Sequence, residues 1–139
     1  MKYLSQAVAV VMLVVLLMAA CGPATTPEPE SAGLANPASE NCAEKGGTLS
    51  IEKRGDGGEY GVCVFDDNMQ CEEWAMMRGD CPEGGIKVTG YITPAARYCA
   101  ITGGEYAVTG KSGAEDEEGT CTLPDGKECD VWKYYNGDC

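Results

Sequence analysis

The sequence contains 139 residues, with a formal net charge of −12, nine cysteines and no histidine. The lack of histidine excludes Ser-His-Asp and Cys-His catalysis as well as histidine-ligated zinc. The excess of 22 acidic over 10 basic residues argues against nucleic acid and anionic membrane surfaces as partners.

Residues 1–20 are predicted to be a lipoprotein signal peptide. Lys2 precedes an uninterrupted apolar run over 7–20, which is shorter than the ~20 residues that a membrane-spanning helix needs and is typical of a signal sequence. The run ends at Cys21, which would become the lipidated N-terminus after cleavage. An ordinary secretory signal and an uncleaved anchor are the alternatives. The favoured interpretation predicts an exported chain that the lipid on Cys21 anchors to the bilayer of the cell membrane or of the outer membrane.

Residues 21–35 are predicted to form a disordered tether. Residues 22–31 are rich in proline, threonine and glutamate and contain no large apolar side chain. Such a stretch cannot bury enough surface to offset the entropy lost on ordering. The tether would hold the rest of the chain away from the membrane.

The rest of the sequence repeats one unit. Consecutive cysteines are separated by 21, 8 and 10 positions in residues 36–81, and by 22, 8 and 10 positions in residues 93–139. Matching proline, glycine and tryptophan positions accompany the cysteines in both copies. Residues 82–92 connect the copies, and because this connector contains Ile86 and Val88 the two copies are expected to pack together.

Each copy is predicted to have the order helix, strand, strand, helix. In the first copy Asn36 caps a helix that begins at Pro37 and stops at Gly46. Its strands are expected over 48–53 and 60–65, and its closing helix over 71–79. In the second copy Thr93 is expected to cap a helix from Pro94 to Gly103. Its strands are expected over 105–109 and 120–123, and its closing helix from Cys129. The predicted fold class is α+β, with two small disulfide-stapled α-β-β-α modules in tandem.

The closing helices contain the candidate contact residues. On each helix a stripe of every third residue is expected to face the core, formed by Cys71, Trp74 and Met77 in the first copy and by Cys129, Trp132 and Tyr135 in the second. Met76 and Tyr134 lie between the stripe positions. They are the candidate contacts with a partner, and packing against the other module is the alternative.

The eight cysteines of the two copies are interpreted as disulfides. A unit of about 46 residues buries too little apolar surface to be comfortably stable without staples, and an exported chain lies where disulfides persist. Metal thiolates are the alternative, but the sequence has no C-x-x-C motif. Four cysteines allow three pairings in each copy. The preferred pairs, which tie the opening helix to the hairpin and fasten the closing helix, are Cys42–Cys63, Cys71–Cys81, Cys99–Cys121 and Cys129–Cys139.

A composite motif relates the first copy to a known family. The motif consists of Asn36-Pro37-Ala38-Ser39, Gly46-Gly47-Thr48-Leu49, Gly61-Val62-Cys63 and Glu72-Glu73-Trp74-Ala75. On these segments the chain resembles the family labelled hemolysin and also catalogued as a domain of unknown function, number 333. Residues 94–139 look like a diverged second copy. The resemblance implies an envelope-associated or secreted protein, commonly a lipoprotein, and it implies no catalytic residues.

The sequence favours a non-enzymatic, membrane-tethered binding protein of the cell envelope. Its partner would be an unidentified protein or envelope component, and neither a metal nor a cofactor is expected. A secreted effector of the hemolysin or protease-inhibitor type and a purely structural envelope protein are the alternatives. Beyond the signal, the sequence contains no amphipathic or extended apolar segment suited to membrane lysis, which disfavours the hemolysin alternative.

Overall fold

The computed structural model describes residues 36–139. The predicted signal peptide, the predicted lipid-bearing Cys21 and the predicted tether therefore lie outside the described residues. Within residues 36–139, no helix is long and apolar enough to cross a lipid bilayer.

The first module is a sheet of four antiparallel strands with two helices. In chain order its elements are α1 (Pro37–Glu44), β1 (Thr48–Lys53), β2 (Glu59–Phe65), a 3-10 turn (Asp66–Asn68), β3 (Met69–Glu72) and α2 (Glu73–Arg78). The connector adds the short strand β4 (Ile86–Lys87). The strands lie in the order β1-β2-β3-β4.

The second module repeats this arrangement with three strands. Its elements are α3 (Pro94–Ile101), β5 (Glu105–Val108), β6 (Gly119–Thr122), β7 (Glu128–Asp130) and α4 (Val131–Tyr135). Its strands lie in the order β5-β6-β7, and both sheets are antiparallel. The predicted α+β fold class with two tandem modules is confirmed, but each module has a third strand, so its order is α-β-β-β-α rather than the predicted α-β-β-α.

The opening helix begins at the predicted cap in both modules. The Oδ1 atom of Asn36 accepts a hydrogen bond from the Ala38 amide at 3.0 Å, and the Oγ1 atom of Thr93 accepts one from the Ala96 amide at 3.1 Å. A proline follows each cap, where its missing N–H has no intrahelical partner to lose. The strand over 48–53 also has the predicted bounds.

The closing helix starts later than predicted. Cys71 and Glu72 belong to β3 rather than to the helix, and Cys71 is the cross-strand neighbour of Cys63. The Glu72 carboxylate caps α2 instead of lying in its first turn, and it accepts hydrogen bonds from the amides of Trp74 and Ala75 at 3.1 and 2.7 Å. The second module has the same correction, because Cys129 lies in β7 beside Cys121.

The short helix removes the geometric obstacle to pairing cysteines ten positions apart. Gly79 follows α2 with a φ of 83°, a left-handed conformation that glycine adopts without strain. The chain therefore turns back, and the Cα atoms of Cys71 and Cys81 lie 5.9 Å apart. All four disulfides of the structure have the pairs preferred from the sequence: Cys42–Cys63, Cys71–Cys81, Cys99–Cys121 and Cys129–Cys139.

The disulfides form much of the core. In the first module all four cysteines are buried, and they cluster with Ala75 and Met76. Because Cys63 and Cys71 are neighbours in the ladder, the two bridges of this module lie side by side. In the second module the bridge between Cys99 and Cys121 occupies the equivalent central position.

A glycine supports the first bridge of each module. A Cβ atom added to Gly47 would overlap Cys63 Sγ and lie 3.0 Å from Cys42 Sγ. A Cβ atom added to Gly104 would lie 2.7 Å from Cys121 Sγ and 2.8 Å from Cys99 Sγ. The backbone at these positions therefore lies directly against the sulfur atoms, which leaves no room for a side chain.

The two modules pack together across the first sheet. Its other face, opposite α1 and α2, is covered by α3 and the connector. A third apolar cluster joins Val62 of β2, Val88 of the connector and Ile101 of α3. The expectation that the connector packs the copies together is confirmed.

We predict that Gly47→Ala destabilises the protein by at least about 2 kcal/mol, because the new methyl group and the Cys42–Cys63 bridge cannot occupy the same space. The matched control is Gly46→Ala. Gly46 has a φ of 82° and open space around its Cα, so alanine there is expected to cost only about 1 kcal/mol of backbone strain. Urea unfolding of the oxidised proteins measures both free energies. Equal losses for the two variants would contradict the close packing of the bridge on Gly47.

Candidate interaction surface

The outward face of α2 is apolar. The helix turns Ala75 and Met76 toward the disulfides, and Met76 is only 4% exposed. Trp74 and Met77 lie on the solvent side and are 41% and 46% exposed. Two predictions are therefore wrong: Met76 is a core residue rather than a partner contact, and Trp74 and Met77 do not face the core. The predicted stripe takes its helical phase from Cys71, which is a strand residue, so the stripe is rotated from the face that α2 buries.

The equivalent tryptophan of the second module is better covered. Trp132 packs against the core of its module, and its indole Nε1 donates a hydrogen bond to the Glu117 carbonyl oxygen at 2.9 Å. That carbonyl belongs to the loop over 109–118, which is longer than the corresponding 54–58 turn of the first module. The prediction that Trp132 packs inward is confirmed, and the apolar face of the closing helix is open only in the first module.

Tyr134 has internal partners. Its hydroxyl donates to Thr102 Oγ1 at 3.1 Å, and its ring centroid lies 5.2 Å from that of Tyr98. Part of the side chain reaches an open groove that Arg78 and Asp80 also line. A contact between Tyr134 and a partner stays a prediction.

A salt bridge with two charge-assisted hydrogen bonds joins the modules. The guanidinium of Arg97 on α3 donates to both oxygens of Glu52 on β1, each at 2.8 Å, and also donates to the side-chain oxygen of Gln70 on β3. The Tyr60 hydroxyl donates to Glu52 at 3.0 Å, and the Tyr60 ring lies edge-on to Tyr98 at 4.9 Å. Sequence reasoning missed this network, because nothing in the local pattern pairs residues 45 positions apart.

The network shifts the pKa values of its members. The hydrogen bonds from Arg97, with the positive charge of that residue, hold the pKa of Glu52 below its usual value, and the same bonds raise the pKa of Arg97. Burial, followed by the charge of Glu52, raises the pKa of Tyr60. The bridge is therefore intact at neutral pH.

A second contact fixes the relative position of the modules. The tip of the β1–β2 hairpin lies against the end of α4, so a side chain at Gly55 would overlap Asn136. The Tyr135 hydroxyl of α4 donates to the Lys53 carbonyl oxygen at 3.0 Å. Tyr135 thus bridges the modules as well as packing against its own core, where the sequence predicted it.

A buried carboxylate distinguishes the first module from the second. Glu73 is almost fully buried and accepts hydrogen bonds from Asn36 Nδ2 at 2.9 Å and from Ser39 Oγ at 2.6 Å. The position equivalent to Glu73 is Val131 in the second module, which is fully buried beside Ala95. One module satisfies this position with hydrogen bonds and the other fills it with apolar side chains, so the carboxylate has a structural role.

The acidic loop between β5 and β6 is folded on itself. Glu117 accepts hydrogen bonds from the Gly113 amide and the Tyr106 hydroxyl, and these bonds lower its pKa. Asp116 forms a salt bridge with Lys111 at 2.8 Å. Among residues 36–139, no group of three or more histidine, cysteine, aspartate or glutamate side chains is placed to hold a metal ion.

Comparison with known families agrees with the repeat. The family model described as "Domain of unknown function (DUF333)" matches residues 33–80 and again residues 90–138. The chain belongs to this family. Its two DUF333 copies coincide with the two modules of the structure. They also account for the cysteine spacing that repeats along the sequence.

Curated relatives carry the same domain-sized similarity. Over 72 residues the chain is 39% identical to the protein described as "Uncharacterized protein YoaF" of Escherichia coli K12, which covers 50% of this chain and 84% of that protein. The YoaF protein of Shigella flexneri matches equally well. "Uncharacterized protein YdbJ" of E. coli K12 is 32% identical over 50 residues, which is 36% of this chain and 57% of that protein. No solved structure gives a significant match.

We predict that Glu52→Gln lowers the free energy of unfolding by about 1–2 kcal/mol at neutral pH, because a charge-assisted pair becomes a neutral contact. The loss should disappear in acid. The pKa of Glu52 is lower in the folded than in the unfolded chain, so its contribution is complete above the ordinary carboxyl value of 4.5 and is lost as the pH falls through the folded pKa.

Urea unfolding of the wild-type protein and of the Glu52→Gln variant, repeated from neutral pH down to about pH 3, measures this difference in the free energy of unfolding. The matched control is Glu59→Gln, whose partner Lys53 lies 3.8 Å away with both side chains exposed, and which should cost less than about 0.5 kcal/mol. A loss for Glu52→Gln that stays constant across the pH range would contradict the role of the Arg97–Glu52 pair.

Proposed function

We propose that this DUF333 protein is an exported, lipid-anchored, non-enzymatic binding protein of the cell envelope. The lipid on Cys21 holds the chain at a bilayer, residues 22–35 act as a spacer, and the paired modules bind a protein or another envelope component. Binding requires neither a metal nor a cofactor.

The disulfides support export. Eight cysteines form four bridges with Cα separations between 5.6 and 6.2 Å, all within the range of ordinary disulfides. Such bridges form and persist in oxidising compartments and are rare in the cytosol. Because two bridges form most of the first core and the Cys99–Cys121 bridge lies at the centre of the second, the fold is suited to an oxidising compartment.

The single observation that supports binding most strongly is the exposure of Trp74. Large aromatic side chains are normally the first to be buried in a small domain, and they are enriched at protein interfaces. Here the fold buries Ala75 and Met76 on α2 and leaves 41% of the Trp74 surface exposed, with Met77 beside it on the next turn. An exposed apolar helix face with an adaptable methionine suits a protein partner.

The arrangement of the acidic residues supports a role without catalysis. Glu73 is held by Asn36 and Ser39, Glu52 by Arg97, and Glu117 by Tyr106 and Gly113. General acid–base catalysis needs a carboxyl group that can reach a substrate and change its protonation state. Each of these carboxylates is instead occupied by partners within the fold.

We predict that the protein recovered from membranes begins at Cys21 and carries an acyl-modified cysteine, because the apolar run ends at a cysteine after small residues. Intact-mass and N-terminal peptide mass spectrometry measure the start and the added mass. Cys21→Ser should abolish both the modification and the cleavage. A mature chain that starts elsewhere, or an unmodified Cys21, would refute lipid anchoring while leaving the binding proposal untouched.

We predict that the double variant Trp74→Ser and Met77→Ser captures at least about tenfold less partner than the wild-type protein. Both proteins are incubated with the envelope fraction of the cells that produce the protein. The matched control is Ile92→Ser, which removes an exposed apolar side chain from the connector and should keep capture unchanged. Captured proteins are crosslinked to each variant, and quantitative mass spectrometry identifies those whose capture depends on the α2 face. Capture that survives the double substitution would contradict this face as the binding surface.

A further inference from the structure

The first sheet has an open edge. β1 is the outermost strand in the order β1-β2-β3-β4, and six residues of it run along that edge. An edge strand directs half of its backbone N–H and C=O groups away from the sheet, where they can pair with another strand.

The ladder identifies which residues face outward. The Arg54 amide donates to the Gly58 carbonyl at 2.8 Å, so this pair, which continues the β1–β2 register, is hydrogen-bonded. Hydrogen-bonded and non-bonded pairs alternate in an antiparallel ladder. The residues that direct their backbone groups to the open edge are therefore Leu49, Ile51 and Lys53.

One of these groups already accepts a donor from outside the sheet. The Tyr135 hydroxyl donates to the Lys53 carbonyl oxygen at 3.0 Å and so closes the end of the edge. Within residues 36–139, no side chain does the same for the outward backbone groups of Leu49 and Ile51. Leu49 and Ile51 therefore form the open part of the edge, next to the Lys53 carbonyl that Tyr135 covers.

The side chains along this open part are apolar and accessible. Leu49 is 38% and Ile51 is 58% exposed, and both lie on the sheet face that α1 and α2 cover only in part. The opposite face of the strand presents Glu52, whose carboxylate is already taken by Arg97. A strand added to this edge would therefore meet backbone donors and acceptors together with a two-residue apolar stripe.

The second module repeats the arrangement on a shorter strand. The Thr109 amide donates to the Glu118 carbonyl at 3.0 Å, so the same alternation directs the backbone of Val108 outward from β5. Val108 is 48% exposed and corresponds to Ile51. An exposed β-branched residue at the same edge position of both copies is a recurring feature of the modules rather than an accident of one hairpin.

We propose that the open edge of β1 binds an extended basic segment of a partner protein by strand addition. Main-chain hydrogen bonds to Leu49 and Ile51 provide the pairing, and apolar side chains at alternate positions of the segment pack on the same two residues. Charge complementarity selects the occupant: a net charge of −12 attracts lysine and arginine side chains and repels a second copy of the chain. This inference rests on the proposed binding function and adds to the α2 face a second contact surface, with the chemistry of the partner segment that it binds.

The test is an NMR titration of residues 21–139 with Cys21→Ser, exported behind an ordinary secretory signal in place of residues 1–20. The probe is the capped octapeptide Thr-Lys-Val-Lys-Val-Lys-Val-Thr, and its controls are the same peptide with glutamate in place of lysine and the same peptide with its inner amides N-methylated. We expect the basic peptide to shift the amide signals of Leu49 and Ile51. Both control peptides should bind at least about tenfold more weakly, since each loses the charge or the main-chain pairing.

A matched pair of protein variants isolates the edge. Ile51→Pro removes an N–H that makes no bond to β2 and should weaken binding of the basic peptide at least about tenfold. Ile92→Ser, an exposed apolar change away from the edge, should leave binding unchanged. If Ile51→Pro does not fold, the comparison of methylated and unmethylated peptides on the unaltered strand decides the question.

Three outcomes would overturn the proposal. They are equal binding of the methylated and unmethylated peptides, equal binding of the acidic and basic peptides, and no shift at Leu49 or Ile51. Sedimentation equilibrium that reveals a dimer abolished by Ile51→Pro would assign the edge to a second copy instead. None of these outcomes bears on Cys21 or on capture of a partner through Trp74 and Met77, so failure of this inference is distinguishable from failure of the lipid-anchoring and α2-face proposals.

Discussion

The contact between a disulfide and a bare backbone is the constraint on which the rest of the structure depends. In each module the bridge between the opening helix and the hairpin lies directly on a glycine, Gly47 or Gly104. Because no side chain intervenes, the helix and the hairpin approach as closely as the sulfur atoms allow. The second bridge then lies beside the first, since Cys63 and Cys71 are cross-strand neighbours. The first module, too small to enclose a large hydrocarbon core, thus has a core made largely of sulfur, Ala75 and a few larger side chains.

The small size of the core explains which side chains of the modules remain exposed. With two bridges at the centre, α2 has room to bury Ala75 and Met76, and the indole of Trp74 remains on the surface. The second copy has a longer hairpin loop, whose Glu117 carbonyl accepts the indole N–H of Trp132. The two copies therefore have similar folds but different exposed faces. Arg97 binds Glu52, and Tyr135 donates to the Lys53 carbonyl oxygen, so the two modules are held together. The apolar face of α2 and the open edge of β1 therefore keep a fixed relative position.

The parts of the fold that depend on local chemistry could be predicted from the sequence. Asn36 and Thr93 predict the starts of two helices, and the alternation of apolar and polar residues over 48–53 predicts a strand. The repeated cysteine spacing favours the four disulfide pairs that form. The third strand was missed because β3 is only four residues long and runs straight into α2. The available sequence signal for that hairpin was the eight-position spacing from Cys63 to Cys71 with Asp67 and Asn68 near its midpoint, because aspartate and asparagine tolerate the left-handed conformations that they adopt there. The Arg97–Glu52 pair and the edge position of Ile51 depend on how distant segments meet, and no local pattern encodes that.

The central claim is that the disulfides make the fold, and comparison of the oxidised and fully reduced mature chain tests it most directly. Amide hydrogen exchange and signal dispersion by NMR, at neutral pH and without denaturant, report whether each state is folded. We expect dispersed signals and protected amides in β2 and β3 for the oxidised chain, and collapsed dispersion without protection for the reduced chain. A reduced chain that keeps the same dispersion and protection would contradict the claim, because the apolar side chains alone would then suffice to hold both modules together.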